Sequence, residues 1–148
     1  MTSLETGKER GDALMRAGDY RAAAEAYRQC LRGADSAAER ALYARVCANA
    51  SLACARCGRA PEALLYAERA LAVDAAEPKA LYRKAHALRL LGNLTAADAV
   101  LGDVEARLRA EGRSSPAVAA ERAALQHDID QRGTACALAG MSHVSEKL

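Results

Sequence analysis

Three glycines recur in this chain at a spacing that restricts the possible fold more than any other feature of the sequence. Gly18, Gly58 and Gly92 each follow a segment of helical length, and the intervals between them are 40 and 34 residues. An alanine stands five residues after each of them. Self-similarity at a fixed period is typical of repeat architectures, in which each unit buries its apolar face against the next. We therefore predict stacked helix-turn-helix units with a period of 34 residues and one insertion of six.

The residues around these turns keep the same phase, which argues against a generic alanine-rich helical bundle. A small residue stands seven places before each glycine, at Gly11, Ser51 and Ala85. Small residues there let the two helices of a unit approach closely. Hydrophobic residues make up 51% of the chain but aromatic ones only 3%, so the core must come mainly from alanine, leucine, valine and cysteine. This composition predicts an all-α fold.

With this period and the turn motif Ala17-Gly18-Asp19-Tyr20, the chain resembles the tetratricopeptide repeat family. The resemblance implies a right-handed superhelix of three repeats, at 4–37, 44–77 and 78–111, followed by a C-terminal capping helix at 116–132. Together they form a predicted domain at 1–132, and 133–148 are expected to be a flexible tail. Within the insertion, Ser36 is a candidate cap for a helix that starts near Ala37.

The sequence offers no grouping of residues that would support catalysis, so an enzyme is not expected. It has no serine or cysteine with a histidine partner, no glycine-rich phosphate loop and no metal-ligand spacing, so no catalytic residue, metal or cofactor is predicted. Cys54 and Cys57 form a C-x-x-C without a second pair or a nearby histidine, and are better read as small core residues. Whether Cys136 is modified is left open.

Charge and hydropathy exclude further classes of partner. The formal net charge of +2 is too small to indicate a nucleic acid partner. No apolar run reaches the roughly 18 residues that a membrane span requires. The charged N-terminus does not resemble a signal peptide. We expect a soluble, cytoplasmic protein that is a monomer.

The first helices of tetratricopeptide repeats line a concave groove, and the family's groove-facing positions fall on mostly cationic residues here. A basic groove selects acidic ligands by Coulomb attraction. The peptide-binding candidates are Lys8, Asp12, Asn49, Lys79 and Arg83. The further groove-lining candidates are Arg16, Arg45, Leu52, Arg56, Tyr82, His86 and Arg89.

The five peptide-binding candidates resemble the carboxylate clamp, with which co-chaperones hold the Glu-Glu-Val-Asp tails of cytosolic heat-shock chaperones. In that pattern the first repeat carries Lys and, four residues on, Asn; the second carries Asn; the third carries Lys and, four on, Arg. The resemblance implies that Lys8 and Asn49 donate to a terminal carboxylate, while Lys79 and Arg83 meet an acidic side chain. The implied function is a peptide-binding adaptor for the acidic C-terminal tail of a heat-shock chaperone.

Asp12 departs from the pattern, because it places a carboxylate where the family has a neutral amide. It should repel a peptide carboxylate unless it takes a proton or is held by Lys8, one helical turn earlier. Three interpretations stay open: a weakened clamp, a clamp retuned to another acidic tail, or a groove for something else. The alternative function is a structural scaffold or assembly subunit whose repeat surface makes protein contacts without recognising C-terminal carboxylates.

Overall fold

The structure, a computed structural model, describes residues 2–35 and 37–146, with side chains described as far as Thr134. Over those ranges it contains seven α-helices and no strand, which confirms the predicted all-α fold. The helices are α1 Ser3–Arg16, α2 Tyr20–Arg32, α3 Arg40–Arg56, α4 Ala60–Val73, α5 Pro78–Leu90, α6 Leu94–Ala110 and α7 Pro116–Glu146. Three helical pairs, α1–α2, α3–α4 and α5–α6, are followed by α7 as the capping helix.

The helices form an inner and an outer layer. The first helices of the pairs contact one another in the order α1, α3, α5, and α5 also contacts α7. Among the described residues of α2, α4 and α6, no Cα atoms of two different helices lie within 8 Å of each other. Because the inner helices approach their counterparts in the next pair more closely than the outer helices do, the stack curves around them, and α1, α3 and α5 line the concave side.

The turns inside the pairs repeat almost identically. Gly18, Gly58 and Gly92 have φ angles of 80°, 82° and 81°, the left-handed region in which a Cβ is disfavoured. The amide of the residue after each glycine donates to a carbonyl five residues back, at 2.8–2.9 Å. This closure satisfies the free carbonyls at the end of the first helix and turns the chain back for the second. Gly112, with a φ of 65°, ends α6 in the same way.

Close contact between α1 and α2 depends on two glycines on one face of α1. A Cβ at Gly11 would lie 2.2 Å from Cε1 of Tyr27, and a Cβ at Gly7 would lie 2.2 Å from Cβ of Cys30. These distances place the ring of Tyr27 against the backbone of α1, and Tyr27 is only 1% exposed. The predicted small residue at position 11 therefore allows the two helices to approach.

The core consists of two clusters that meet at α5. The first is built from α1–α4 with alanines of α5, and the second from α5, α6 and α7. Cysteines act as small apolar residues in the first cluster. Burial raises the pKa of Cys47 to about 11 and that of Cys54 to about 12, so neither thiol ionises readily near neutral pH.

Two segments differ from their predicted boundaries. Helix α7 continues to Glu146, whereas the predicted capping helix ends at residue 132 and is followed by a tail. Gly133 did not stop the helix, because alanine and other good helix formers follow it. Helix α3 begins at Arg40 rather than near Ala37, since residues 37–39 form a turn. The predicted cap Ser36 lies outside the described residues, as does the side chain of Cys136.

Among the described residues, no helix is both long enough and apolar enough to span a bilayer.

Candidate functional site

A chain of hydrogen bonds crosses the concave surface from α1 to α5. Lys8 donates to Asp12 on α1, Asn49 of α3 donates to Asp12, and Lys79 of α5 donates to Asn49. Four of the five residues predicted to bind a peptide are thus brought together in one network. The fifth, Arg83, lies one helical turn beyond Lys79 on α5.

Asp12 is the acceptor at the centre of this network. Its Oδ2 lies 2.6 Å from Nζ of Lys8, and its Oδ1 accepts from the Tyr27 hydroxyl at 2.5 Å and from Nδ2 of Asn49 at 3.1 Å. Burial alone would raise the pKa of Asp12, but the bonds from Lys8, Tyr27 and Asn49 outweigh it, so the pKa lies below its ordinary value. Asp12 is therefore ionised at neutral pH. It is held by Lys8, as the four-residue spacing suggested, and by two further donors.

Tyr27 is the member of the network that sequence reasoning missed as a functional residue. It comes from α2 in the outer layer, but its hydroxyl reaches through the repeat to Asp12. Burial, together with the bond to the Asp12 carboxylate, raises the pKa of Tyr27 well above its usual range, so the phenol remains a donor. The sequence signal that could have found it is its position nine residues after the turn glycine Gly18.

Asn49 and Lys79 link the second and third repeats. Nζ of Lys79 lies 3.1 Å from Oδ1 of Asn49, and this bond turns the amide so that its NH₂ faces Asp12. Loss of hydration lowers the pKa of Lys79, and the nearby charges of Arg83 and Lys8 lower it further. Lys79 thus lies in a region of positive potential that a bound anion would relieve.

Arg83 carries a charge with little compensation. Its guanidinium lies over the ring of Tyr82, with 5.2 Å from Cζ to the ring centroid, and its buried Nε has no hydrogen-bond partner among the described residues. Burial lowers the pKa of Arg83, and the neighbouring charge of Arg56 acts in the same direction. A desolvated guanidinium without a counter-ion is energetically unfavourable, and such groups are common at binding sites.

A cleft of about 850 Å³ opens beside Arg83, between the end of α3, the start of α5 and the α6–α7 connection. Its cationic lining includes Arg56, Lys79 and Arg83, and Leu52 and Tyr82 add apolar surface. The lining also includes the acidic side chains of Asp74, Glu77 and Glu111, and Arg113, which is paired with Glu111 at 2.9 Å. Arg56, Lys79 and Arg83 thus lie together on the wall formed by α3 and α5.

Two predicted groove residues are bound to the capping helix instead of facing open space. Glu121 of α7 is 5% exposed and accepts from Nε of Arg89 at 2.5 Å, while its other oxygen lies 2.9 Å from Nδ1 of His86. Arg89 also donates to Asp128 at 3.1 Å. Bonds from His86 and Arg89 lower the pKa of Glu121 despite its burial. The sequence signal for Glu121 was its position between Val118 and Leu125 on the apolar face of α7.

The other predicted groove residues lie at three different places. Leu52, Arg56 and Tyr82 line the 850 Å³ cleft, as described. Arg45 lines a second cavity of about 570 Å³ between α3, α4 and α5, which Lys79 also borders. Arg16 is exposed at the end of α1. Within the described residues, no group of three or more potential ligands could hold a metal ion.

Comparison with known proteins identifies this architecture. The family model described as tetratricopeptide repeat matches residues 9–32, which cover most of α1 and all of α2. The chain has the tetratricopeptide-repeat fold. No curated protein is significantly similar to it in sequence.

Solved tetratricopeptide domains superpose on most of this one. The second such domain of human RPAP3, solved in complex with the HSP70 peptide SGPTIEEVD, is 25% identical, with a TM-score of 0.69 over 84% of this chain and 95% of that one. The Sgt2 domain from Aspergillus fumigatus is 22% identical, with a TM-score of 0.73 over 90% of this chain and 83% of that one. The TPR2B domain of yeast Sti1, in its complex with pHsp70, is 23% identical, with a TM-score of 0.70 over 88% and 98%.

Proposed function

We propose that this tetratricopeptide domain is an adaptor that holds the acidic C-terminal tail of a heat-shock chaperone in its concave groove. The observation that carries the proposal is Arg83, a partly buried guanidinium whose Nε has no hydrogen-bond partner among the described residues and which lines the 850 Å³ cleft together with Lys79. The alternative function, a structural scaffold, gives no role to Arg83 and Lys79, whereas an adaptor for an acidic tail does.

The energetics of Arg83 favour an anionic ligand. Removing a charge from water is costly unless a partner of opposite charge compensates for it. A carboxylate in the cleft would supply that partner, because the planar guanidinium can donate two parallel hydrogen bonds to it. Lys79 lies one turn away on the same face of α5 and can meet a second oxygen or a neighbouring acidic side chain. An acidic peptide therefore fits this wall better than a neutral one.

The neighbouring structures support the class of ligand. The RPAP3 domain was solved with a heat-shock peptide that ends in two glutamates, a valine and an aspartate, and the Sti1 domain with pHsp70. Leu52 and Tyr82, on the wall of the cleft, can pack against an aliphatic side chain of such a tail.

The proposal is tested by fluorescence-anisotropy titration of a labelled SGPTIEEVD peptide, the peptide in the RPAP3 complex. Charge-assisted hydrogen bonds contribute about 1.5–3 kcal/mol each, so Arg83→Ala should weaken binding by roughly ten- to one-hundred-fold. Arg21→Ala is the matched control, because it removes the same charge from the exposed face of α2 in the outer layer and should leave the affinity within about twofold. A peptide with glutamine for both glutamates should also bind poorly.

The scaffold function makes the opposite prediction. If the groove only makes contacts within a larger assembly, the wild-type domain should not bind the peptide at all. Equal losses in Arg83→Ala and Arg21→Ala would show non-specific attraction to a basic protein and would also contradict the proposal. Light scattering adds an independent check, since the adaptor is expected to be a monomer and a stable dimer would favour the scaffold.

A further inference from the structure

We propose that Asp12 takes the place of a ligand's terminal carboxylate, so that this groove recognises acidic side chains of a peptide and does not require a free C-terminus. The inference rests on the proposed function, because it specifies which group of an acidic tail is recognised. The resemblance to the carboxylate clamp implied the reverse, with Lys8 and Asn49 receiving the terminal carboxylate. The network around Asp12 is the reason for the difference.

The donors that would receive a terminal carboxylate are already in use. Lys8 lies 2.6 Å from one oxygen of Asp12, and the NH₂ of Asn49 lies 3.1 Å from the other. Lys79 fixes the orientation of the Asn49 amide through its oxygen, and the Tyr27 hydroxyl adds a third donor to Asp12. Four elements of the fold, α1, α2, α3 and α5, thus hold one carboxylate at this point, and that carboxylate belongs to the protein.

A second carboxylate at the same donors would be repelled. Two carboxylates that share a site cannot both ionise without a large cost, so one of them must take up a proton or leave. The donors around Asp12 hold its pKa below the ordinary value, which makes protonation near neutral pH unfavourable. Displacement is also unfavourable, because the Tyr27 hydroxyl would lose its acceptor in an environment where the side chain is only 1% exposed. The terminal carboxylate of a peptide is therefore excluded from this position.

The positive charges that remain for a ligand lie on α5, at the end of the network away from Lys8. Asp12 compensates Lys8 within a salt bridge, whereas Arg83 has no such partner among the described residues and Lys79 is bonded only to a neutral amide. These two cations border the 850 Å³ cleft. They can meet acidic side chains along a peptide, whichever way its C-terminus is capped.

A two-by-two titration measures this specificity directly. The probes are the SGPTIEEVD peptide with a free C-terminus and the same peptide amidated, and the proteins are the wild type and Asp12→Asn. The wild type should bind both peptides within about threefold of each other. Asp12→Asn frees Lys8 and supplies a neutral amide, so it should bind the free peptide at least tenfold more tightly than the amidated one, the effect of about one charge-assisted hydrogen bond. The quantity of interest is the ratio of the two affinities in each protein, which cancels general effects of charge.

Several outcomes would overturn the inference. If amidation of the peptide lowered its affinity for the wild-type domain tenfold or more, the terminal carboxylate would be bound despite Asp12. This result needs no variant. A ratio near one in Asp12→Asn as well would show that Asp12 does not determine the preference. The preference of the wild type for the free over the amidated peptide should also stay constant when the pH is lowered from 7.5 to 5.5. If that preference grew, the terminal carboxylate would be binding beside a protonated Asp12, which would contradict its exclusion. The groups that face Asp12 in this experiment are Lys8, Tyr27, Asn49 and Lys79.

The failure of the inference is distinguishable from that of the proposed function. If neither protein binds either peptide, the proposed function fails, and the inference fails with it. If the wild type binds but depends on the free C-terminus, the adaptor function stands and only the role of Asp12 is refuted.

Discussion

The contact between Gly11 and Tyr27 permits a quantitative test of how the first repeat packs. An alanine at position 11 would place its Cβ 2.2 Å from Cε1 and 2.6 Å from Cδ1 and Cζ of the Tyr27 ring. The ring is buried and its hydroxyl is bonded to Asp12, so it cannot turn away without breaking that bond. Either the ring or helix α1 must move.

The expected change in stability follows from two opposing effects. Alanine in place of glycine inside a helix stabilises it by about 0.8–1.0 kcal/mol. Overpacking a core by one methyl group costs about 1–3 kcal/mol, and a separation of 2.2 Å from a ring places this site at the upper end. Gly11→Ala should therefore lower the free energy of unfolding by about 2 kcal/mol.

Gly102→Ala is the matched control, because Gly102 lies inside α6 and a Cβ there would meet no atom within 4 Å. It gains the same helix propensity without the clash, so it should raise the stability by up to about 1 kcal/mol. Urea denaturation of the two variants and the wild type gives the difference, which should be about 3 kcal/mol. If Gly11→Ala were as stable as Gly102→Ala, the argument from close packing would be refuted.

Three further predictions concern the buried polar groups. Tyr27→Phe removes a donor to Asp12, so the pKa of Asp12 should rise in an NMR titration and the free energy of unfolding should fall by about 1.5–3 kcal/mol. An unchanged pKa of Asp12 would show that the hydroxyl does not hold the carboxylate. Glu121→Gln leaves Arg89 without its buried counter-charge, so the domain should lose about 3 kcal/mol by denaturation, whereas Asp130→Asn on the exposed face of α7 should cost little. Folding lowers the pKa of both Asp12 and Glu121, so their contribution to stability is complete above the ordinary carboxyl pKa of about 4 and is lost as the pH falls through the folded values. Thermal melts from pH 7 to pH 3 should show this loss of stability. The loss should be smaller in Glu121→Gln.

The repeat framework could be predicted from the sequence because its determinants are local. A glycine at a left-handed turn acts on neighbouring backbone, and the small residue seven places earlier faces the other helix of the same repeat, so Gly18, Gly58 and Gly92 gave the positions of the turns directly. The end of α7 was missed for a related reason. Gly133 lowers helix propensity by only about 1 kcal/mol, which the following residues can offset, and a glycine alone does not distinguish a helix end from a helix interior.

The candidate site could be predicted only in part. The phase of the repeats was enough to place Lys8, Asn49 and Lys79 on one surface, because residues in register on the inner helices face the same side. It did not reveal which of them would be engaged by the protein itself. His86 and Arg89 were assigned to the groove for the same reason, although their partner Glu121 lies more than thirty residues further along the chain.

The sequence by itself thus determined the helical period, the turns, the small residues between helices and the positions of the cationic residues on the inner helices, all of which follow from spacing and residue type. Only the tertiary structure decided the state of the polar groups. It brought the Tyr27 hydroxyl and the Asn49 amide to Asp12, and it left Nε of Arg83 buried with no hydrogen-bond partner in the part of the chain that the structure describes. The physical reason is that hydrogen bonds and desolvation depend on distances of a few ångströms between residues far apart in the chain, which a repeat pattern does not specify.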